Sequence, residues 1–434
     1  MPPYPRRGRG GGERSRPGLS AGAAHRSLLE GTKMAVPLAQ LLTPRHLILD
    51  SWTHERTFHR PGAGVSCLYG VQALDRAGRI VRLYAGATTA DLGSTDQGTL
   101  QTSVAGIRLS VWLHPHDPLL PALPWALSPG DVARDVFGQP DAEAQTVLSL
   151  SAYRPLRRAV VRAVSGENTA YLKILLPGHA EELRRRHRLL AGTGIPAAAV
   201  TGTRQPADSR ADSAVVLSAL TGEPLLPGLR TGTHGLVPED LTRLLDLLPD
   251  DALALDPRPA WAERARAYGH AAAVILPQEA GRIRGMAQTI EKYVRGLEPG
   301  PTVPVHGDFY EGNLLAAGGR ITGLLDVDGL GPGHRVDDLA CFLGHLAVLA
   351  ELSPDSALPG ELQVFHAAFQ DFASAAGSSP AALDARAAGV ALSLVPGARA
   401  GSLSRTGNAL ARLRAAETLL AQAVTGGGGK ALWV

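Results

Sequence analysis

The sequence predicts an α+β protein of two lobes, one rich in β-structure and one helical, preceded by a small β-rich unit. Three observations carry this. At 434 residues the chain exceeds one ordinary domain. Short β-branched runs bounded by turn residues dominate as far as residue 222. Beyond the Thr221-Gly222-Glu223-Pro224 break the apolar spacing becomes helical.

Residues 1–36 are rich in Gly, Pro, Arg and Ser with little apolar periodicity, and are expected to stay disordered. Residues 37–140 form the β-rich amino-terminal cap, with extended runs at Gly70–Leu74, Arg79–Leu83 and Ile107–Leu113 and a turn at Asp75–Gly78. The first lobe, 141–222, reads as strands at Thr146–Leu150, Ala159–Val164 and Ala170–Leu175, a helix at His179–Leu190, and a strand at Val215–Leu220. The second lobe, 223–434, carries helices at Pro238–Leu248, Ala260–Ile275, Gln278–Leu297, Val336–Leu349, Glu361–Ala375, Pro380–Ser393 and Ser402–Val424. A cleft is expected where the two lobes join.

Apolar content of 44% and charged content of 19% are globular, and no apolar run reaches the ~18 residues of a membrane span. The formal charge of +3 is small and concentrated near the amino terminus (Arg6, Arg7, Arg9, Arg14, Arg16, Arg26), which argues against a nucleic-acid partner. Cys67 and Cys341 are the only cysteines, too few for a disulfide framework or a cysteine zinc site, and the terminal Arg pair lacks the apolar segment of an export signal. A cytoplasmic protein is expected.

One segment concentrates chemistry: His306-Gly307-Asp308-Phe309-Tyr310-Glu311-Gly312-Asn313. The Asp-x-x-x-x-Asn spacing on a tight loop lets the Asp308 carboxylate face an acceptor group while the Asn313 amide oxygen turns to a metal ion. A strand from Leu314 to Ala317, a Gly318-Gly319-Arg320 turn and a strand from Ile321 to Val327 follow. A hairpin folded about Gly319 and Arg320 sets Asn313 across from Asp326; a Gly318-Gly319 loop keeps Asp326 within two positions. Asp328, two residues on and on the same strand face, is a further candidate ligand. Oxygen donors of this kind suit Mg2+. Lysine is rare: of the four (Lys33, Lys173, Lys292, Lys430), only Lys173 lies inside an apolar strand. His114-Pro115-His116-Asp117 imitates a metal cluster but reads as a turn, and the glycine run before Lys430 is a flexible tail rather than a phosphate loop.

His306-Gly307-Asp308, Asn313, Leu325-Asp326 and Asp338-Leu339-Ala340 together resemble the signature of the aminoglycoside phosphotransferase and choline kinase-like enzymes, which share the protein-kinase-like fold. The resemblance covers roughly residues 145–430. It implies ATP and Mg2+ as cofactors and a small hydroxyl-bearing molecule (sugar, aminosugar, aminoglycoside or related alcohol) as acceptor. It implies that Asp308 is the catalytic base, that Asn313 and Asp326 hold metal, and that Asp338 braces the catalytic loop. His306 supports the loop. Lys173 would meet the α- and β-phosphates, oriented by an ion pair with Glu182, and the stretch from Ser218 to Leu220 would be the hinge that meets adenine. The alternative is a catalytically silent nucleotide- or metabolite-binding protein on the same scaffold.

The chain departs from the pattern in three places. Tyr153-Arg154-Pro155-Leu156-Arg157-Arg158 occupies the position of the glycine-rich loop, so arginine contacts to phosphate are expected there. His334 stands before Arg335 where relatives often carry Asp. The β-rich cap is absent from the simplest members and resembles that of maltokinase-type relatives.

Overall fold

The computed structural model describes residues 19–59, 64–93, 98–202 and 212–426. The chain forms two compact units, one running to Leu119 and including Arg154–Leu156, the other comprising Leu120–Tyr153 and everything from Arg157 onward.

In the first unit, helices α1 (Leu19–Leu29) and α2 (Ala35–Leu42) precede strands β1 (Ile48–His59), β2 (Val65–Leu74), β3 (Ile80–Thr88), β4 (Thr99–Val104) and β5 (Ile107–Leu113). The sheet order is β1-β2-β3-β5-β4. Strand β2 alternates strictly, burying Val65, Cys67, Tyr69, Val71 and Ala73, so one face of the sheet needs a cover. Leu28, Leu29, Met34, Leu38, Leu41 and Leu42 supply it, and the Tyr69 hydroxyl donates to the Leu29 carbonyl at 2.7 Å. The expectation of a disordered 1–36 is therefore corrected for residues 19–36: a few leucines at helical spacing bury enough apolar surface to offset ordering, despite the polar composition. Residues 1–18 lie outside the described residues, as does the glycine run from 427 to Lys430.

The second unit opens with short helices α3 (Leu123–Ala126) and α4 (Pro129–Asp135), the latter started by Ser128, whose hydroxyl accepts from the Asp131 amide. Strands β6 (Thr146–Arg154), β7 (Arg158–Ser165), β8 (Asn168–Leu175) and β9 (Ala214–Ser218) form a sheet in that order, with helix α5 (Ala180–Leu190) between β8 and β9. Leu120, Leu123, Trp125 and Val132 pack on the sheet face made by Ala159, Val161, Leu172 and Ile174. Residues 120–140 thus belong with this sheet rather than with the β-rich unit assigned from sequence. No element is expected from the sequence at Leu120–Ala126, whose apolar residues are interrupted by Pro121 and Pro124.

After the two-residue strand β10 (Glu223–Pro224) come α6 (Leu225–Thr231), α7 (Pro238–Asp246), α8 (Ala265–Ile275) and α9 (Ala280–Gly296). Strand β11 (Thr302–Val305), the hairpin β12 (Leu314–Ala317) and β13 (Arg320–Leu324), and β14 (Gly331–His334) follow. Helices α10 (Arg335–Leu352), α11 (Leu358–Ala375), α12 (Pro380–Leu394) and α13 (Arg405–Gly426) close the chain. Helix α12 is buried along nearly its whole length by alanine-rich faces, and a Cβ on Gly344 of α10 would meet the Ala387 carbonyl at 2.7 Å. Small residues let these helices approach closely. The segment before β9 joins the sheet region to this half: the Leu324 amide donates to the Pro196 carbonyl at 2.8 Å.

Candidate active site

Strand β11 ends at Val305 and delivers His306-Gly307-Asp308 into a tight loop. Gly307 has φ +79°, and a Cβ there would stand 2.7 Å from the Gly329 carbonyl oxygen; on Gly329 it would stand 2.6 Å from that of His306. Two loops thus meet backbone to backbone, and only glycine permits it. The Asp338 carboxylate, wholly buried at the start of α10, accepts from the His306 amide at 2.7 Å and the Gly307 amide at 2.8 Å. Burial pushes its carboxyl up to about 7, against the pull of those two amides.

His306 is also fully buried. Its Nδ1 accepts from the Asp308 amide (3.3 Å), so Nε2 carries the proton and donates to the Leu325 carbonyl (2.9 Å). Burial drives its pKa down to about 4, which keeps the ring neutral and this bonding pattern intact. The ring ties Asp308 to the residue before Asp326. Asn313 Nδ2 donates to the Asp308 carbonyl at 2.8 Å, which leaves the amide oxygen as its remaining acceptor. Tyr310 stacks on His345 of α10, with ring centroids 4.0 Å apart.

The hairpin turns at Gly318-Gly319, both with positive φ, as a two-residue β-hairpin favours. A bulge at Thr322, opposite Leu315 and Ala316, then shifts the register, so that Asn313 faces Leu325, whose amide donates to the Asn313 carbonyl at 2.8 Å. The pairing of Asn313 with Asp326 expected for a Gly319-Arg320 turn is corrected by one position. Asp326 itself takes φ +55° and opens a 3₁₀ turn, Val327–Gly329, so Asp328 is not on a strand as expected. The turn nevertheless brings both carboxylates to one place.

That place is Lys173. Its ammonium lies 2.5 Å from Asp326 Oδ1 and is also bonded to Asp328 Oδ2, and Arg158 Nη1 lies 3.4 Å from Asp326 Oδ2. Burial opposes ionisation of Asp326, yet hydrogen bonding with Asp328 and the charges of Lys173 and Arg158 hold its carboxyl well below the ordinary range. Burial and the neighbouring Asp326 push Asp328 the other way.

Glu182 does not pair with Lys173. It lies 2.8 Å from Arg186, one turn along α5, whose buried guanidinium also donates from Nε to the Leu330 carbonyl (3.0 Å). Each buried cation takes its nearest counter-charge, and for Lys173 that is the aspartate pair. Ser218 ends β9; its amide and hydroxyl both bond Ala199, and the chain runs through Leu220 to β10, which pairs with β12. Two residues near the loop, Cys341 and Glu311, carry no site role in the sequence reading, and Arg158, from the run expected to contact phosphate, joins them at the site. Cys341 Sγ sits 4.0 Å from Asp308 Oδ1, Arg158 reaches Asp326, and buried Glu311 is pushed up to about 7 by burial and by Asp308.

Among the described residues no group of three or more His, Cys, Asp or Glu side chains could hold a metal by itself. The donors available are two carboxylates and one amide oxygen. Such a hard, incomplete set fits Mg2+, which commonly takes one or two carboxylates and completes its shell with water and substrate phosphate.

The sequence profile described as Phosphotransferase enzyme family (APH) matches residues 156–377, just over half of the chain. The chain belongs to this phosphotransferase family. The second unit, a four-stranded sheet followed by a mostly helical half, has the β-then-α order expected from the sequence. No curated protein matches the chain. Solved structures similar to it include choline kinase from Cryptosporidium parvum Iowa II (14% identity, 69% of this chain and 94% of that one, TM-score 0.44). Ethanolamine kinase from Plasmodium vivax is similar at 12% identity, over 66% of this chain and 87% of that one, with TM-score 0.40. So is a thermostable mutant of aminoglycoside phosphotransferase APH(4)-Ia in ternary complex with ADP and hygromycin B, at 14% identity, over 65% and 95%, with TM-score 0.44. Among the described residues no helix is long and apolar enough to cross a membrane, and both cysteines are buried and unpaired.

Proposed function

We propose that the protein is a small-molecule kinase that transfers the terminal phosphoryl group of ATP to a hydroxyl group of a sugar, aminosugar, aminoglycoside or related alcohol. The observation that carries this reading is the meeting of Lys173, from the sheet, with Asp326 and Asp328, from the turn after β13, beside the loop that holds Asp308.

Phosphoryl transfer needs positioning and charge neutralisation more than covalent help. Asp308 orients the acceptor hydroxyl and takes its proton. Its backbone is fixed through its amide by His306 and through its carbonyl by Asn313, so the carboxylate is carried on a rigid loop. The Asn313 amide oxygen, Asp326 and Asp328 would hold Mg2+, which supplies neutralisation of the phosphate charge. Lys173 is the fixed cation for the nucleotide. With the Ser218 amide and hydroxyl engaged by Ala199, adenine recognition in the connecting segment falls to backbone groups from the Ser218 carbonyl to Leu220. His306 and Asp338 keep the loop in place and do not touch the reacting atoms.

The test is ATP consumption across a panel of alcohols and aminosugars, set beside the thermal shift produced by Mg-ATP alone. Turnover on at least one acceptor, abolished in Asp308→Asn, is expected. A Mg-ATP shift with no turnover on any acceptor would favour the catalytically silent scaffold.

A further inference from the structure

We propose that Arg158 is a second fixed cation of the nucleotide site, taking the phosphate oxygens that a glycine-rich loop would otherwise hold. This rests on the phosphotransferase reading of the same site and singles out one arginine among the three at 154, 157 and 158.

The first ground is the loop. Strands β6 and β7 are joined by Pro155, Leu156 and Arg157 alone. Pro155 has no amide hydrogen, and the Leu156 amide is already given to Asp117 Oδ2 at 2.8 Å, with Leu156 held at φ +61°. At most one of the three amides remains. A phosphate cradle of successive backbone N–H groups is therefore not built here, and the contacts must come from side chains.

The second ground is register. In the β7–β8 ladder Arg158 pairs with Leu175 and Val160 with Lys173, so Arg158 and Lys173 are diagonal neighbours on one face. The opposite face, with Ala159, Val161, Leu172 and Ile174, is sealed against α3 and α4. The two cations divide Asp326 between them: Lys173 takes Oδ1 and Arg158 approaches Oδ2. A guanidinium so placed presents a planar fork to anionic oxygen, and phosphate fits that fork in two-point fashion. At 3.4 Å its contact with Asp326 is loose, and its side chain is about a quarter exposed, so it can serve an arriving anion without leaving a buried charge behind.

The experiment measures binding of ATP, ADP and adenosine to the full chain at one fixed salt concentration, without divalent metal and then with Mg2+, for the wild type, Arg158→Gln and Arg158→Lys. Loss of one charge-assisted phosphate contact predicts that Arg158→Gln weakens ATP and ADP by about 10–100-fold and leaves adenosine unchanged. Arg158→Lys should recover part of the loss, because it restores the charge without the fork. Unaltered adenosine binding also shows that the variant is folded. The proposal is overturned if Arg158→Gln leaves ATP binding unchanged, or weakens adenosine as much as ATP, which would make Arg158 a support for Asp326 only. Absence of any adenine-nucleotide binding by the wild type would overturn the phosphotransferase reading itself, and this proposal with it.

Discussion

Replacing Gly307 by alanine places a Cβ 2.7 Å from the Gly329 carbonyl oxygen and forces an L side chain to hold φ +79°. The backbone conformation costs about 1–2 kcal/mol, and the overlap, which meets backbone rather than a side chain that can swing aside, adds about 1–3 kcal/mol. A loss of about 2–5 kcal/mol is expected. Gly285→Ala is the matched control. Gly285 lies in α9 with nothing near its missing Cβ, so alanine there should stabilise by about 0.5–1 kcal/mol through helix propensity. Urea unfolding of the unit that carries the loop, compared by midpoint at unchanged slope, measures both. A loss under about 1 kcal/mol for Gly307→Ala, with the control behaving as expected, would refute the close contact of the two loops on which the site geometry depends.

Lys173→Met removes the shared counter-ion of two largely buried carboxylates and should cost about 3 kcal/mol. Because Lys173 helps hold Asp326 ionised with a depressed pKa, that cost is full above the ordinary carboxyl value of 3.8 and shrinks as acid protonates Asp326; urea midpoints against pH read it, and a pH-independent cost would count against the pairing. His306 has its pKa lowered from 6.5 to about 4, so its neutral burial contributes stability that is present above pH 6.5 and lost toward pH 4, up to about 3 kcal/mol. The stability gap between wild type and His306→Gln should therefore narrow over that window, and a constant gap would contradict a neutral buried ring. Asp308→Asn should lower turnover by about 10²–10⁴-fold while ATP affinity stays within a few-fold, as steady-state kinetics and titration would show; equal losses in both would remove its role toward the acceptor.

Much of the site was legible because its residues are close in sequence or conspicuous in type. The loop from His306 to Asn313 and the carboxylate at Asp326 are joined by one short hairpin, so local pairing brings them together. Lys173 stood out as a charge inside an apolar strand. What escaped depended on burial and on local irregularity. The bulge at Thr322, left unpaired between Ile321 and Gly323, moves the register by one, and turn spacing alone does not mark it. The left-handed turn at Asp326 carries Asp328 off the strand face that period-two reasoning assigned to it. The choice of Glu182 for Lys173 failed because Arg186 is buried and claims that carboxylate. Helices α1 to α4 were missed for a compositional reason: glycine, proline and arginine around short leucine clusters hide the apolar face that packs on each sheet.

The central claim is that Asp308 and the cluster of Lys173, Asp326 and Asp328 form one phosphoryl-transfer site. The most direct measurement is a mass-spectrometric screen of metabolite extract incubated with the protein, Mg2+ and ATP labelled in its terminal phosphoryl group. The account predicts a hydroxyl-bearing small molecule that gains the labelled phosphoryl group with the wild type and not with Asp308→Asn. Label transferred equally by both proteins, or released only as inorganic phosphate, would contradict it.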